Sequence, residues 1–168
     1  MSYNPAAGFP RIMPSLRYND MGAALAWLNQ TFGLTEHLRW TDAGGVVRHA
    51  EMRIDHAFID LSAAPDGYQT PKRLGQVCQS LVVLVDDVDA HDRTAQAAGA
   101  TIIAAPKDKP WGLRPYIAED LGGHHWQFSH YLRDVPPAEW GAQLMESSDL
   151  FARSMDMAAS GRAASGCG

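Results

Sequence analysis

The chain has 168 residues, 46% of them hydrophobic and 20% charged, enough for one well-buried compact domain and short for two separate ones. Its formal net charge is −5, and lysines and arginines are scattered rather than clustered, which excludes the electrostatic footprint of a nucleic-acid or anionic-membrane binder. The longest purely aliphatic run, Leu81 to Val85, is far below membrane-spanning length; the start MSYNPAAGFP has neither a basic region nor an apolar core; and Cys78 and Cys167 make no disulfide framework or ligand spacing. A soluble, cytoplasmic protein without a structural zinc is expected.

Residues 1–10 read as an N-terminal arm, and 11–64 as a first module. Ile12 to Tyr18 is a strand entered past a proline, and Asp20 offers a side-chain oxygen to the free N–H groups of a first helical turn. Met21, Ala24, Leu25, Leu28 and Phe32 then recur on one helical face, and Gly33 is placed to end that helix in the left-handed conformation. Three strands follow, Thr35 to Thr41, Val46 to Ile54 and Ala57 to Ser62, turned by Gly44-Gly45 and by Asp55-His56. The unit is βαβββ.

Residues 65–77, rich in turn formers, form a linker, and 78–132 repeat the unit about 67 positions later. Leu16-Arg17-Tyr18-Asn19-Asp20 answers to Val83-Leu84-Val85-Asp86-Asp87, and Phe58-Ile59-Asp60-Leu61 to His125-Trp126-Gln127-Phe128. The second copy predicts a strand over Gln79 to Val85, a helix over Val88 to Ala98, and strands over Thr101 to Ala104, Leu113 to Glu119 and His124 to Tyr131. Its helix face is poorer, because His91 and Asp92 stand where Ala24 and Leu25 stood; His91 is expected to be solvated. Residues 133–168 are a C-terminal extension. In it Pro136-Pro137 can start a short helical turn docked by Trp140, and the small, polar stretch from Ala158 reads as a disordered tail.

The duplicated unit, the block Pro110-Trp111-Gly112-Leu113-Arg114-Pro115-Tyr116 and the following Glu119-Asp120-Leu121-Gly122-Gly123-His124 together resemble the vicinal oxygen chelate superfamily. That superfamily includes glyoxalase I, extradiol dioxygenases and the fosfomycin- and bleomycin-resistance proteins, and the likeness is greatest to the drug-binding branch. The resemblance covers roughly residues 10 to 132. The family turn is usually Asp-Pro-(Asp/Glu)-Gly-(Asn/His); Leu121 replaces its proline and Gly122 its acid. It implies an α+β fold in which two βαβββ modules curl their mixed sheets into a cup, with a short C-terminal helical extension, and it implies a homodimer sharing a pocket.

Metal-dependent members carry ligands at positions that map onto Met13, Asp60, Ser80 and Gln127. Only Asp60 is a carboxylate, and a divalent ion needs three or four converging imidazole or carboxylate ligands. No metal and no other cofactor is therefore expected, although His49 and His125 could supply a different constellation, since His125 and Gln127 are co-facial by strand alternation. His124 belongs to the turn and reads as structural. Trp126 reads as core and Trp27 as helix surface or edge packing. Trp40 and Trp111 have no periodic reason to be buried; by resemblance, Trp111 flanks a pocket and stacks on a planar ligand. Arg114 and Tyr116 share one face, as a prop within the sheet or, the reading favoured here, as groups lining the cup. Arg17 shares the inward face of Met13, and Arg17 with Asp60 is the expected buried ion pair.

The function expected is metal-free binding of a small planar or amphipathic molecule, of the antibiotic- or natural-product-resistance type. The candidate ligand-binding residues are Met13, Arg17, Trp40, His49, Asp60, Trp111, Arg114, Tyr116, His125 and Gln127. The alternative is a lyase, isomerase or dioxygenase that holds a metal with Asp60, Gln127 and a histidine, or that uses Asp60 and His125 as acid and base without one.

Overall fold

The computed structural model describes residue 10 and residues 12–144. The rest of the expected arm and the expected tail lie outside the described residues. The first module comprises β1 (Ser15–Tyr18), α1 (Met21–Phe32), β2 (Thr35–Thr41), β3 (Val47–Ile54) and β4 (Ala57–Ala63). A short helix α2 (Pro71–Leu74) interrupts what reads in sequence as a plain linker. The second module comprises β5 (Ser80–Leu84), α3 (Val88–Ala97), β6 (Thr101–Ala104), β7 (Leu113–Glu119) and β8 (His125–Tyr131), followed by a 3-10 turn over Pro137–Trp140.

Each module folds its strands into a four-stranded mixed sheet, in the orders β1-β4-β3-β2 and β5-β8-β7-β6. In both, the first strand lies parallel to the fourth and the remaining pairs are antiparallel. The parallel pair requires a crossover, which in each case is the helix. The fold is α+β, and neither sheet closes into a barrel.

The helices start and stop where their local chemistry dictates. The Asp20 carboxylate accepts from Ala23 N at 2.9 Å, and Asp87 does the same for Ala90 N at 2.9 Å. Gly33 ends α1 at φ 74°, its N–H donating to Asn29 O. The predicted apolar face of α1 is buried in full, with Thr31 added to it.

One core serves both modules. Leu16, Tyr18, Leu28, Phe32 and Leu61 from the first meet Val88, Tyr116, Trp126 and Phe128 from the second. Phe32 is the pivot, with its ring centroid 5.4 Å from Trp126 and 4.8 Å from Phe128. The helix-covered faces of the two sheets thus share this interior, and their other faces are left largely open.

His91 is the main correction to the sequence reading of the helices. It lies between the modules, half-buried, with Nδ1 2.6 Å from the Tyr116 hydroxyl and Nε2 3.3 Å from the Phe32 carbonyl. Burial lowers its pKa below the usual histidine value, against the opposing pull of the Phe32 carbonyl and of Asp92. A polar residue on a helical face reads as solvated only while nothing polar waits opposite it, and here Tyr116 does.

The turn between β7 and β8 is structural. Asp120 is buried and accepts from the Tyr18 hydroxyl at 2.6 Å, Trp126 Nε1 at 3.0 Å, and the N–H groups of Gly122 and His124 at 2.8 and 2.9 Å. Burial, and then the Asp120 charge, push the Tyr18 pKa well up, so Tyr18 stays a donor. Gly123 sits at φ 87°, and a Cβ there would lie 2.2 Å from Lys72 N, so this turn also seats α2.

Candidate functional site

Directly paired residues on neighbouring strands point to the same side of a sheet. On the open face of the first sheet this produces two cross-strand rows. Arg17, Ser62, His49 and Trp40 form one, and Ser15, Asp60, Glu51 and Leu38 the other. Leu16, Leu61, Ala50 and Met52 alternate with these residues and face the core.

The two rows meet at Asp60. One of its oxygens, Oδ1, lies 2.9 Å from His49 Nδ1. The other, Oδ2, accepts the Ser15 hydroxyl and, at 3.4 Å, that of Ser62. Asp60 is mostly covered, whereas His49 keeps about a third of its side chain in solvent. A carboxylate only accepts, so the hydrogen of this contact is on Nδ1. Glu51 is 6% exposed beside Asp60, and Trp40 is 59% exposed beside His49.

The expected Arg17–Asp60 ion pair does not form. Arg17 stands opposite Ser62, one step along the strand from Asp60, and among the described residues its guanidinium has no carboxylate partner. His49 takes the place assigned to it, because antiparallel pairing sets the histidine diagonally across from Asp60.

The open face of the second sheet is different in kind. Ser80, His125 and Glu119 form its polar end, with His125 Nε2 3.9 Å from Glu119. Beyond them stand Val82, Gln127 and Ile117, then Leu84, Ser129 and Pro115. The Gln127 amide donates to the Ser129 hydroxyl at 3.3 Å.

Arg114 and Tyr116 stand on the other side of β7, facing α3. Arg114 is held by Asp89 at 2.9 Å and Asp108 at 2.7 Å, and those hydrogen bonds, Asp89 first, raise its pKa. Tyr116 is fully buried against His91, and burial pushes its pKa up. Both are the prop of the sequence analysis rather than groups on the open face. Trp111 is exposed, its ring centroid 6.1 Å from that of Trp140 in the 3-10 turn.

Of the ten sequence-predicted residues, the structure therefore gathers Arg17, Trp40, His49 and Asp60 on one face. His125 and Gln127 lie on the other open face, Met13 lines a cleft at the start of β1, and Arg114, Tyr116 and Trp111 are elsewhere. Glu51 was missed, though its two-residue spacing from His49 on β3 puts it on the same face.

The four positions where a metal is implied do not suit one. Met13 and Ser80 line a cleft together, Gln127 is on the second sheet, and Asp60 is engaged by His49 and Ser15. Among the described residues, no three His, Cys, Asp or Glu side chains converge as a divalent ion requires. The cleft, about 620 Å³, runs between the start of β1 and the edge strand β5. Phe58, Ile59, Val82 and Trp126 contribute to its walls, and Ser15 joins it to Asp60.

Comparison with known proteins places this architecture. An uncharacterized protein of Mycobacterium tuberculosis is 30% identical over 145 residues, 83% of this chain and 85% of its own. The crystal structure of TioX from Micromonospora sp. ML1 superposes with a TM-score of 0.61 at 35% identity, over 74% of this chain and all of that one. The fosfomycin resistance protein FosX from Listeria monocytogenes shares the fold alone, with a TM-score of 0.55 at 13% identity over 78% of this chain and 97% of its own. A family profile matches residues 8–128, and with two βαβββ sheets in the same strand order the chain belongs to the Glyoxalase/Bleomycin resistance protein/Dioxygenase superfamily.

Proposed function

We propose that this protein binds a small planar or amphipathic molecule without a metal ion, sequestering it in the manner of a resistance protein. The observation that carries this reading is the cleft of about 620 Å³, a size that falls within the roughly 300–1,000 Å³ of small-molecule sites. Its walls are mainly apolar, and among the described residues Ser15 links it to the charged group of Asp60. Apolar walls with few convergent polar groups suit burial of a flat body with a polar end. The resistance role extends to this chain what the superfamily's name says of bleomycin resistance proteins.

The working form is a homodimer in the cytoplasm. Val82 and Leu84 are 62% and 64% exposed on β5, an edge strand whose outer hydrogen-bonding groups are unpaired within its sheet. A second copy seated along that edge would cover both side chains and deepen the cleft. The interaction partners are thus a small ligand and a second copy, with no nucleic acid or membrane.

Calorimetric titration with flat amphipathic dyes, on the wild type and on Val82→Lys, tests the reading. Binding is expected in the wild type and at least tenfold weaker in the variant, because a lysine would put a charge into the apolar wall. Equal binding by both would overturn the cleft as the site. Titration of metal-free protein with nickel, zinc, manganese and iron(II) decides against a metal-dependent lyase, isomerase or dioxygenase if no stoichiometric uptake occurs, and for one if uptake is lost in Asp60→Ala. Sedimentation of the wild type and of Leu84→Lys reports the dimer.

A further inference from the structure

We propose that the exposed aromatic patch built around Trp111 and Trp140 is a docking surface, and that its occupant is the next stretch of the same chain, residues 145–157, which lies outside the described residues. None of the patch residues lines the cleft, so this surface is independent of the binding reading.

The patch is held by the backbone beneath it. The Pro110-Trp111-Gly112 loop leads into β7, and the chain leaving β8 folds back over it, with the N–H groups of Leu132 and Arg133 donating to the Gly112 carbonyl at 2.9 and 3.3 Å. Gly112 sits at φ 86°, and a Cβ there would lie 2.0 Å from the Arg133 carbonyl oxygen, so only glycine lets the two segments meet this closely. Trp140 is tied to the same segment, its Nε1 donating to the Val135 carbonyl at 3.4 Å. With that scaffold fixed, Trp111, Leu132 and Trp140 are nevertheless all exposed, and so is Leu144, four residues past Trp140, where the described chain ends. Large apolar side chains grouped at a surface mark a site of interaction.

Three observations favour residues 145–157 over any other occupant. The segment starts beside the patch, so closing the short loop back onto it costs little chain entropy. Its sequence supplies the complementary surface: Met145, Leu150, Phe151, Met155 and Met157 lie within it, whereas residues 158–168 contain no large apolar side chain. Methionine is suited to an indole surface, because its unbranched thioether adapts to irregular gaps and makes favourable contacts with aromatic rings. The charges also match. Glu146, Asp149 and Asp156 outnumber Arg153 in the segment, while the patch is flanked by Lys109, whose carbonyl accepts from Gly112 N, and by Arg133. Neither of those cations has a carboxylate partner among the described residues.

NMR of the full-length protein with isotope-labelled methionine methyls tests this directly. The Met155 or Met157 methyl is expected to be displaced upfield by indole ring currents and to show cross-relaxation with Trp111 or Trp140, and both signs should vanish in Trp111→Ala. A second variant, Phe151→Ser with Met155→Ser, leaves every described residue unaltered; it should release the Met157 methyl without changing the rest of the spectrum. Trypsin supplies an independent readout at Arg153, where cleavage is expected to be about tenfold slower in the wild type than in either variant, because the bond must leave the patch to be cut. Methyls at their free positions in the wild type, or equal cleavage in all three proteins, overturn the proposal. Cross-relaxation found only between labelled and unlabelled copies in a mixed sample also overturns it, and assigns the patch to a second copy of the chain instead.

Discussion

The two modules share one backbone plan and carry opposite chemistry on their open faces. Register makes the comparison position by position. Glu51 opposite Asp60 corresponds to Ile117 opposite Gln127, and His49 opposite Ser62 to Pro115 opposite Ser129. On the first strands, Ser15 and Arg17 correspond to Val82 and Leu84. The first face is polar along both rows, whereas the second is polar only at the end that holds His125 and Glu119 and is otherwise apolar with isolated hydroxyl and amide groups. The helix-covered faces differ in the reverse sense. Ala24 and Leu25 of α1 are plain core, whereas α3 brings His91 and Asp92 to the interior. A repeated fold thus leaves side chains free to specialise, because strand pairing is satisfied by the main chain on either face.

Breaking the asymmetry at the turns has the largest expected consequence. Asp120→Ala removes the acceptor for four donors at the β7–β8 turn, and on the order of 3–5 kcal/mol is expected to be lost in chemical denaturation. The matching turn of the first module, Asp55-His56, has no such hub, and Asp55→Gly should be neutral or slightly stabilising because Asp55 already sits at φ 49°.

Next come the paired core positions. Phe128→Ala should cost about 3–5 kcal/mol and Leu61→Ala about 2–5 kcal/mol, since both are fully buried on the helix side of equivalent strands. Phe128 is expected to cost more, because it also packs against Phe32 and His91 across the modules.

The interior histidine sharpens the comparison through pH. Its folded pKa is lowered by burial, so the unfolded chain binds the extra proton first as pH falls. The stability linked to His91 is therefore complete above about 6.5, the unfolded value, and is lost progressively as pH falls from there toward the folded value. Thermal melts of the wild type should show that loss and His91→Gln should flatten it, with Ala24, its counterpart in the first module, contributing nothing.

The smallest effects should be symmetric. Asp20→Ala and Asp87→Ala each delete one side-chain cap of the same geometry, and about 1 kcal/mol is expected from each. A marked inequality would show that one helix leans on its cap more than the other.

Much of the fold was legible because its signals are short-ranged. Asp20, the apolar face of α1 and Gly33 act within a few residues of one another, and they define a helix wherever it ends up. The same holds for the strand runs, whose predicted bounds differ from the observed ones mainly at β1, where three leading residues fall outside the strand. The buried Trp126 and the structural His124 turn were also readable, the first from alternation and the second from motif.

The site was legible only in part. Alternation makes Arg114 and Tyr116 neighbours on one face of β7 but does not say which face meets the helix. That is decided by where α3 crosses, and its His91 and Asp89 claim both residues. The partner of Asp60 depended likewise on strand order, because His49 reaches it only once β3 lies beside β4 in the observed register. The sequence by itself determined the two βαβββ units, their caps and their buried periodicity, since those follow from local backbone and hydrophobic preferences. Tertiary structure alone decided which polar groups meet, because hydrogen bonds and ion pairs between strands depend on register and facing, and neither is written in any single segment.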